Sequence, residues 1–167
     1  MKIRKANIND LKQIMLMYES CVSGMIENKI FQWDSSYPNQ EVIMCDINSK
    51  TYYVATINNK IVGGVNLDKK QDIEYQSINW NDKRNTFLVV HRLAVCKHYW
   101  GKKIGKKLMI YCEEVVMKKN LKSIRLDTYS ENPLAINFYK RLGYNFLGKI
   151  DLKPGKSKYY CFEKIIP

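Results

Sequence analysis

The chain is poor in the residues on which several special chemistries depend. It has two histidines, His91 and His98, too few for a His-rich metal centre. Its five cysteines (Cys21, Cys45, Cys96, Cys112, Cys161) stand far apart with no C-x-x-C pair. That count and spacing argue against a disulfide framework and a structural zinc site, so no metal is implied and most of the thiols read as small buried apolar side chains. No apolar run approaches the ~20 residues of a membrane span, and the N-terminus lacks the apolar core of a signal peptide. A cytoplasmic location without a membrane partner is the expectation. Neither an internal repeat nor a linker interrupts the 167 residues, a length that suits one domain with its own core.

Negative charge is also scarce: 16 acidic residues face 28 basic ones, a formal net charge of +12. A basic surface can attract nucleic acid, and it attracts any polyanionic small molecule as well. Lysine is dispersed along the chain and no nucleic-acid recognition motif occurs, which disfavours the first reading. The denser clusters are Lys102, Lys103, Lys106 and Lys107, and then Lys153, Lys156 and Lys158.

What the sequence does contain is a regular alternation of elements. Lys2–Ala6 reads as a strand. Asn7 or Asn9 caps a helix whose stripe Leu11, Ile14, Met15, Tyr18 and Val22 runs to about Ser23. Gly24–Gln40 holds Phe31, Trp33 and Tyr37 in polar surroundings, aromatics that either line a pocket or cover an end of the core. A short helix over Gln40–Asn48 follows. Thr51–Ile57 and Lys60–Leu67 form a hairpin about Asn58-Asn59, with Gly63-Gly64 marking a bulge or a close backbone approach. Ile73–Trp80 is a further strand or an irregular link. After a buried strand at Phe87–Val95 and a turn holding Gly101 and Gly105, a helix continues to about Lys119. Ser123–Thr128 alternates as a strand, and Asn132-Pro133 opens a helix that ends at Gly143. Tyr144–Ile150 and Lys158–Ile165 close the chain as two strands. The class is mixed α/β.

The stretch F-L-V-V-H-R-L-A-V-C-K-H-Y-W-G-K-K-I-G-K-K-L carries the first chemical signal. A buried strand feeding a glycine turn at a helix N-terminus gathers unpaired N–H groups and the positive end of a helix dipole, a recipe for holding phosphate.

Three segments together resemble the GNAT superfamily of acetyl-CoA-dependent N-acetyltransferases: I-R-K-A-N-I-N-D-L, then H-R-L-A-V with W-G-K-K-I-G, then L-D-T-Y-S-E-N-P-L-A-I-N-F-Y-K-R-L-G-Y. The resemblance covers the whole chain, residues 1–167. It implies one GNAT-like domain with a mixed, mostly antiparallel sheet of six or seven strands, helices on both faces, and a splayed strand pair holding CoA. The family's turn falls on Trp100, Gly101, Lys102, Lys103, Ile104 and Gly105. Trp100 stands where the family has a basic or amide residue, and Lys103 where it has an inner glycine. Lys103 adds charge there, provided that its backbone does not need positive φ. By resemblance, backbone groups of Leu93, Ala94 and Val95 meet the pantetheine arm, those of Lys102 to Lys106 meet the phosphates, Asn132 bonds to the arm, and the Tyr139 hydroxyl lies near the sulfur.

Acetyl transfer to an amine needs a proton acceptor, an N–H donor for the developing oxyanion and an acid for the leaving thiolate. Tyr139 is the candidate acid. His91 is the candidate base, because it looks like the histidine before L-A-V in arylalkylamine N-acetyltransferases. Strand alternation would also put it on one face with Leu93 and Val95. Glu74, if on the neighbouring strand, or a water chain is the alternative base. No cysteine is placed as a nucleophile, which favours direct attack in a ternary complex over an acyl-enzyme. The acceptor is a small primary amine or, alternatively, a peptide or protein N-terminus or lysine, with Trp33, Tyr37, Glu74 and Trp80 as candidate pocket residues. A CoA-binding sensor without turnover is another reading, and a basic nucleic-acid-binding domain is the last. Family members are often homodimers, so a homodimer is compatible.

Overall fold

Caps and alternating hydrophobicity set most element boundaries in the computed structural model, which describes residues 1–167. Strand β1 (Lys2–Lys5) leads into a single 3₁₀ turn, Ile8–Asp10. Asn7 caps that turn: its side chain accepts the Asn9 N–H at 3.0 Å, and the Asp10 carboxylate accepts the Asn7 N–H at 2.8 Å. Arg4 closes on the same carboxylate with two bonds of 2.7 and 2.8 Å. Helices α1 (Leu11–Glu27) and α2 (Gln40–Asn48) follow, then β2 (Tyr52–Ile57), β3 (Lys60–Asp68) and β4 (Phe87–Val95). After α3 (Ile104–Lys118) come β5 (Ser123–Tyr129), α4 (Pro133–Arg141), β6 (Asn145–Ile150) and β7 (Tyr159–Ile165).

The seven strands lie in the order β1-β2-β3-β4-β5-β7-β6. The β1–β2, β2–β3, β5–β7 and β6–β7 ladders are antiparallel, and β4 pairs with β5 in parallel, Phe87 to Val90 against Ser123 to Leu126. The predicted hairpin forms as its turn residues require, with Asn58 and Asn59 at φ 48° and 61°.

Two compact units divide the residues. The first comprises 1–67 and 91–111, the second 68–90 and 112–167. In the first, Ile14, Met17 and Tyr18 of α1 and Ile43 and Ile47 of α2 pack on Tyr52, Val54 and Ala94. Gly63 admits α3 closely, since a Cβ there would stand 3.1 Å from side-chain carbons of both Ile104 and Leu108. The second unit is built on Tyr75, Trp80, Phe87, Val89, Tyr129 and Tyr159. Its buried Arg125 lies 3.8 Å from the Phe87 ring centre and 4.6 Å from that of Trp80. The guanidinium donates to Glu163 (3.2 Å), Gln71 (2.9 Å) and the Asp82 carbonyl (2.7 Å), so the buried charge is both paired and hydrogen-bonded.

One sequence expectation needs correction, and one open alternative is resolved. Helix α1 runs four residues past Ser23, because Gly24 is a packing position: a Cβ there would meet the Trp100 ring at 2.8 Å. Of the two readings of Ile73–Trp80, the irregular link is the one that forms. Ile73–Ser77 coils into a 3₁₀ turn, with Tyr75 buried and the Trp80 indole N–H donating back to the Tyr75 carbonyl at 2.9 Å. A local donor thereby satisfies backbone that would otherwise need a neighbouring strand.

All five cysteines are free thiols; Cys21, Cys112 and Cys161 are buried, Cys96 is half-buried and Cys45 exposed. Burial pushes the Cys21 thiol up to about 11 and Cys161 up to about 12, and raises Cys112 as well. Brief alkylation of the native protein at neutral pH, read by peptide mass spectrometry, is therefore expected to modify Cys45 first and Cys96 second. The other three should react only after unfolding, and rapid native labelling of Cys112 would contradict this packing.

Candidate active site

Strand β4 changes character at its middle. Phe87 to Val90 are buried, whereas His91, Arg92, Leu93 and Val95 are half-buried. At Arg92 the backbone turns left-handed, with φ 53°. Such a conformation costs an L-residue about 1–2 kcal/mol, so its surroundings must hold it. Tyr18 donates its hydroxyl to the Arg92 carbonyl at 2.7 Å, and Tyr52 donates to the Tyr18 hydroxyl at 2.8 Å. The Arg92 guanidinium grips the buried Asp46 carboxylate through Nε at 2.9 Å and Nη2 at 2.8 Å, and Nη1 reaches the Tyr37 hydroxyl at 3.2 Å. Burial opposes the charge on Arg92, but Tyr37 and Asp46 outweigh it and its pKa is raised. Burial also raises Tyr18 and Tyr52 well above the ordinary phenol range, keeping both as hydroxyl donors.

The left-handed residue breaks the period-two alternation at Arg92, so strand alternation does not carry His91 onto the face of Leu93 and Val95 as expected. The Val95 carbonyl accepts the Trp100 indole N–H at 2.7 Å. Trp100 thus departs from the family's turn residue for a structural purpose: it seals the turn against β4 and against Gly24 of α1.

The turn itself is a 3₁₀ coil over Lys97–Tyr99, anchored by the Lys97 N–H donating to Ser20 Oγ at 3.2 Å. Gly101 and Lys103 both take positive φ, 76° and 61°, so Lys103 has inherited the left-handed geometry of the glycine it replaces, contrary to the proviso drawn from sequence. The Lys102 N–H donates to the Tyr99 carbonyl at 3.2 Å, and the first helical bond joins the Lys107 N–H to the Lys103 carbonyl at 3.1 Å. The amides of Lys103, Ile104, Gly105 and Lys106 precede that bond as first-turn donors, with the exposed Lys102, Lys103 and Lys106 around them. Donors, helix dipole and lysines fit a pyrophosphate.

In the second unit Asn132 is buried as the cap of α4, its Oδ1 accepting the Ala135 N–H at 3.0 Å. Tyr139 is buried among Phe138, Tyr144 and Phe162, with ring centres 5.2–6.2 Å away. Burial, then the Asp127 carboxylate, raise its pKa well above ordinary. Glu74 sits in the 3₁₀ turn rather than on a strand, and Trp80 is core rather than pocket wall, 7% exposed. Trp33 packs edge-on against Tyr18 with ring centres 5.7 Å apart. His98 is exposed in the turn. Sequence reasoning missed Arg92, Asp46, Tyr18 and Tyr52. One signal was present: Asp46 shares the apolar stripe of α2 with Ile43 and Ile47, and a carboxylate in that position requires a buried cation.

With this geometry in place, comparison with known proteins is unambiguous at one level. Residues 17–144 match the acetyltransferase (GNAT) family, and the chain belongs to it. The family's acyl donor is acetyl-CoA. The chain is similar to an uncharacterized N-acetyltransferase, YesJ, of Bacillus subtilis strain 168: 30% identical over 94 residues, covering 56% of this chain and 49% of that protein. It is also similar to a probable spermine N(1)-acetyltransferase of Bacillus subtilis subsp. natto, 32% identical over 76 residues, covering 45% and 50%. The chain thus spans about half the length of these curated relatives. A GNAT-family acetyltransferase structure from Streptococcus agalactiae 2603 shares the fold, with TM-score 0.84 over 98% of this chain and 94% of that one at 22% identity.

Lys103→Gly should relieve the left-handed cost, partly offset by the greater freedom of glycine in the unfolded chain, for a net gain of about 0.5–1 kcal/mol. In a chain of this size that is a rise in Tm of roughly 1–4 °C by thermal unfolding. A fall in Tm would show that the Lys103 side chain carries a stabilising contact larger than the strain.

Proposed function

We propose that the protein transfers the acetyl group of acetyl-CoA directly to a primary amine. The observation that carries this reading is the turn: two left-handed residues, Gly101 and Lys103, present the first-turn amides of α3 amid a lysine cluster in a family that uses acetyl-CoA. In this reading the amides of Lys103 to Lys106 and the side chains of Lys102, Lys103 and Lys106 hold the phosphates. Backbone groups of Leu93 to Val95 hold the arm, with the Val95 carbonyl already spent on Trp100.

Tyr139 donates a hydrogen bond to the sulfur as the carbon–sulfur bond breaks. Its raised pKa defines that role. An ordinary phenol near ~10 is already about 2 kcal/mol short of protonating a thiolate whose acid lies near ~8.5, so the hydroxyl stabilises the departing thiolate without full transfer. His91 or water takes the amine proton. Glu74 loses its case as the base along with its strand.

The acceptor is best read as an amine of low positive charge. Although one relative is named for spermine, a chain of net charge +12 repels a polycation at long range, whereas a neutral aryl amine meets no such barrier and a singly charged alkyl amine or peptide N-terminus a much smaller one.

An amine and peptide panel with acetyl-CoA, read by free-thiol release, tests this. Turnover on a monoamine or peptide is expected to exceed turnover on spermine, and spermine as the preferred acceptor would refute the charge argument. Acetyl-CoA binding without turnover on any acceptor would favour the sensor reading. Tyr139→Phe is expected to lower kcat about 10–100-fold while calorimetric affinity for acetyl-CoA stays within about threefold. Because burial raises Tyr139, it stays protonated as pH rises, and the wild-type rate should show no alkaline loss from tyrosine ionisation below about pH 10. If His91 is the base, His91→Ala abolishes the acid limb of the pH–rate profile; an unchanged profile assigns the proton to water.

A further inference from the structure

Arg92 joins three segments that are far apart in sequence. Its backbone belongs to β4, its guanidinium holds Asp46 of α2 bidentately, and its Nη1 bonds to Tyr37 in the loop between α1 and α2. The loop is also linked to Arg92 indirectly, through α1: Trp33 packs edge-on against Tyr18, whose hydroxyl holds the Arg92 carbonyl at 2.7 Å. One residue therefore fastens the aromatic loop directly through its side chain and, by way of Tyr18, through its main chain. The ion pair is little exposed, 14% at the Arg92 side chain and 6% at Asp46, so its bonds are strong and directional. The residues immediately after it are Leu93 to Val95.

We propose that the aromatic loop holding Trp33 and Tyr37 lies on the acceptor side of the site, and that Arg92 is a positioning residue that sets this loop and the Leu93–Val95 backbone in one arrangement, so that acceptor and acyl donor are ordered together. This rests on the acetyl-transfer reading and adds to it a coupling element. The competing account is a buried ion pair that only stabilises the fold. The two differ in a testable way, because replacing both charges by apolar side chains often leaves stability nearly unchanged.

The experiment compares wild type, Tyr37→Phe, the double variant Arg92→Met/Asp46→Leu, and the triple combination. It measures thermal unfolding, acetyl-CoA affinity by calorimetry, acceptor KM and kcat, and amide hydrogen exchange. Tyr37→Phe should raise acceptor KM about 10–100-fold, the loss of one hydrogen bond to a charged group, with acetyl-CoA affinity within twofold. The double variant should keep its Tm within about 4 °C yet lose about 100-fold in kcat, as a small misplacement of reacting groups does. Adding Tyr37→Phe to it should change nothing further. A double variant within threefold of wild-type kcat/KM, or a Tyr37→Phe effect of equal size in both backgrounds, overturns the proposal.

Hydrogen exchange decides the matter without turnover. In the double variant, or in Tyr37→Phe alone should the double variant not fold, the amides of residues 31–37 and 93–95 should exchange faster together, while those of 87–90 stay unchanged. Exchange at wild-type rates in either segment sinks the coupling. Absence of turnover in the wild type on every acceptor counts against the acetyl-transfer reading alone.

Discussion

A single left-handed arginine governs the middle of this protein. Arg92 costs the strand about 1–2 kcal/mol in backbone conformation, and the chain supports it with a buried carboxylate, two buried tyrosines and a tyrosine hydroxyl from the adjoining loop. These bonds form one connected network, so the loss of one partner weakens the hold of the others on Arg92. The first half of β4 pairs regularly with β5. Beyond the kink the strand serves the turn: Val95 receives Trp100, and Cys96 donates its N–H to the Val62 carbonyl at 2.9 Å.

The turn repeats the same principle on a smaller scale. Where its family has a glycine, this chain has Lys103 at φ 61°, accepting a strained backbone and gaining a positive charge beside the helix N-terminus. Where the family has a basic or amide residue it has Trp100, whose indole closes the turn onto β4 and α1. Backbone donors are retained in both substitutions, which is why the departures from the motif are compatible with the same chemistry.

Local signals made much of the fold legible. Asn58-Asn59 specifies its own turn, Asn132 caps the helix that follows it, and the bounds of α2 and β4 follow from apolar spacing alone. The site was legible only where a residue type reveals its role, as with Gly101 and the Asn132-Pro133 start. Arg92 and Lys103 gave no warning, because a positive φ in a residue with a Cβ is imposed by distant partners and not by its own propensity. Tyr75 is a similar case: its hydroxyl is drawn to Asp127 at 2.7 Å, a partner 52 residues away, and the segment around it coils instead of extending.

The central claim is that β4 beyond Arg92 and the first turn of α3 form the seat of the acyl donor. Amide chemical shifts of isotope-labelled protein, followed through an acetyl-CoA titration, test it most directly. The account predicts saturable shifts concentrated at Leu93, Val95 and Lys102 to Lys106, a perturbation at Asn132, and none at the second lysine cluster, Lys153 to Lys158. Shifts spread evenly over the lysine-rich surface, or none in the turn at millimolar ligand, would contradict it.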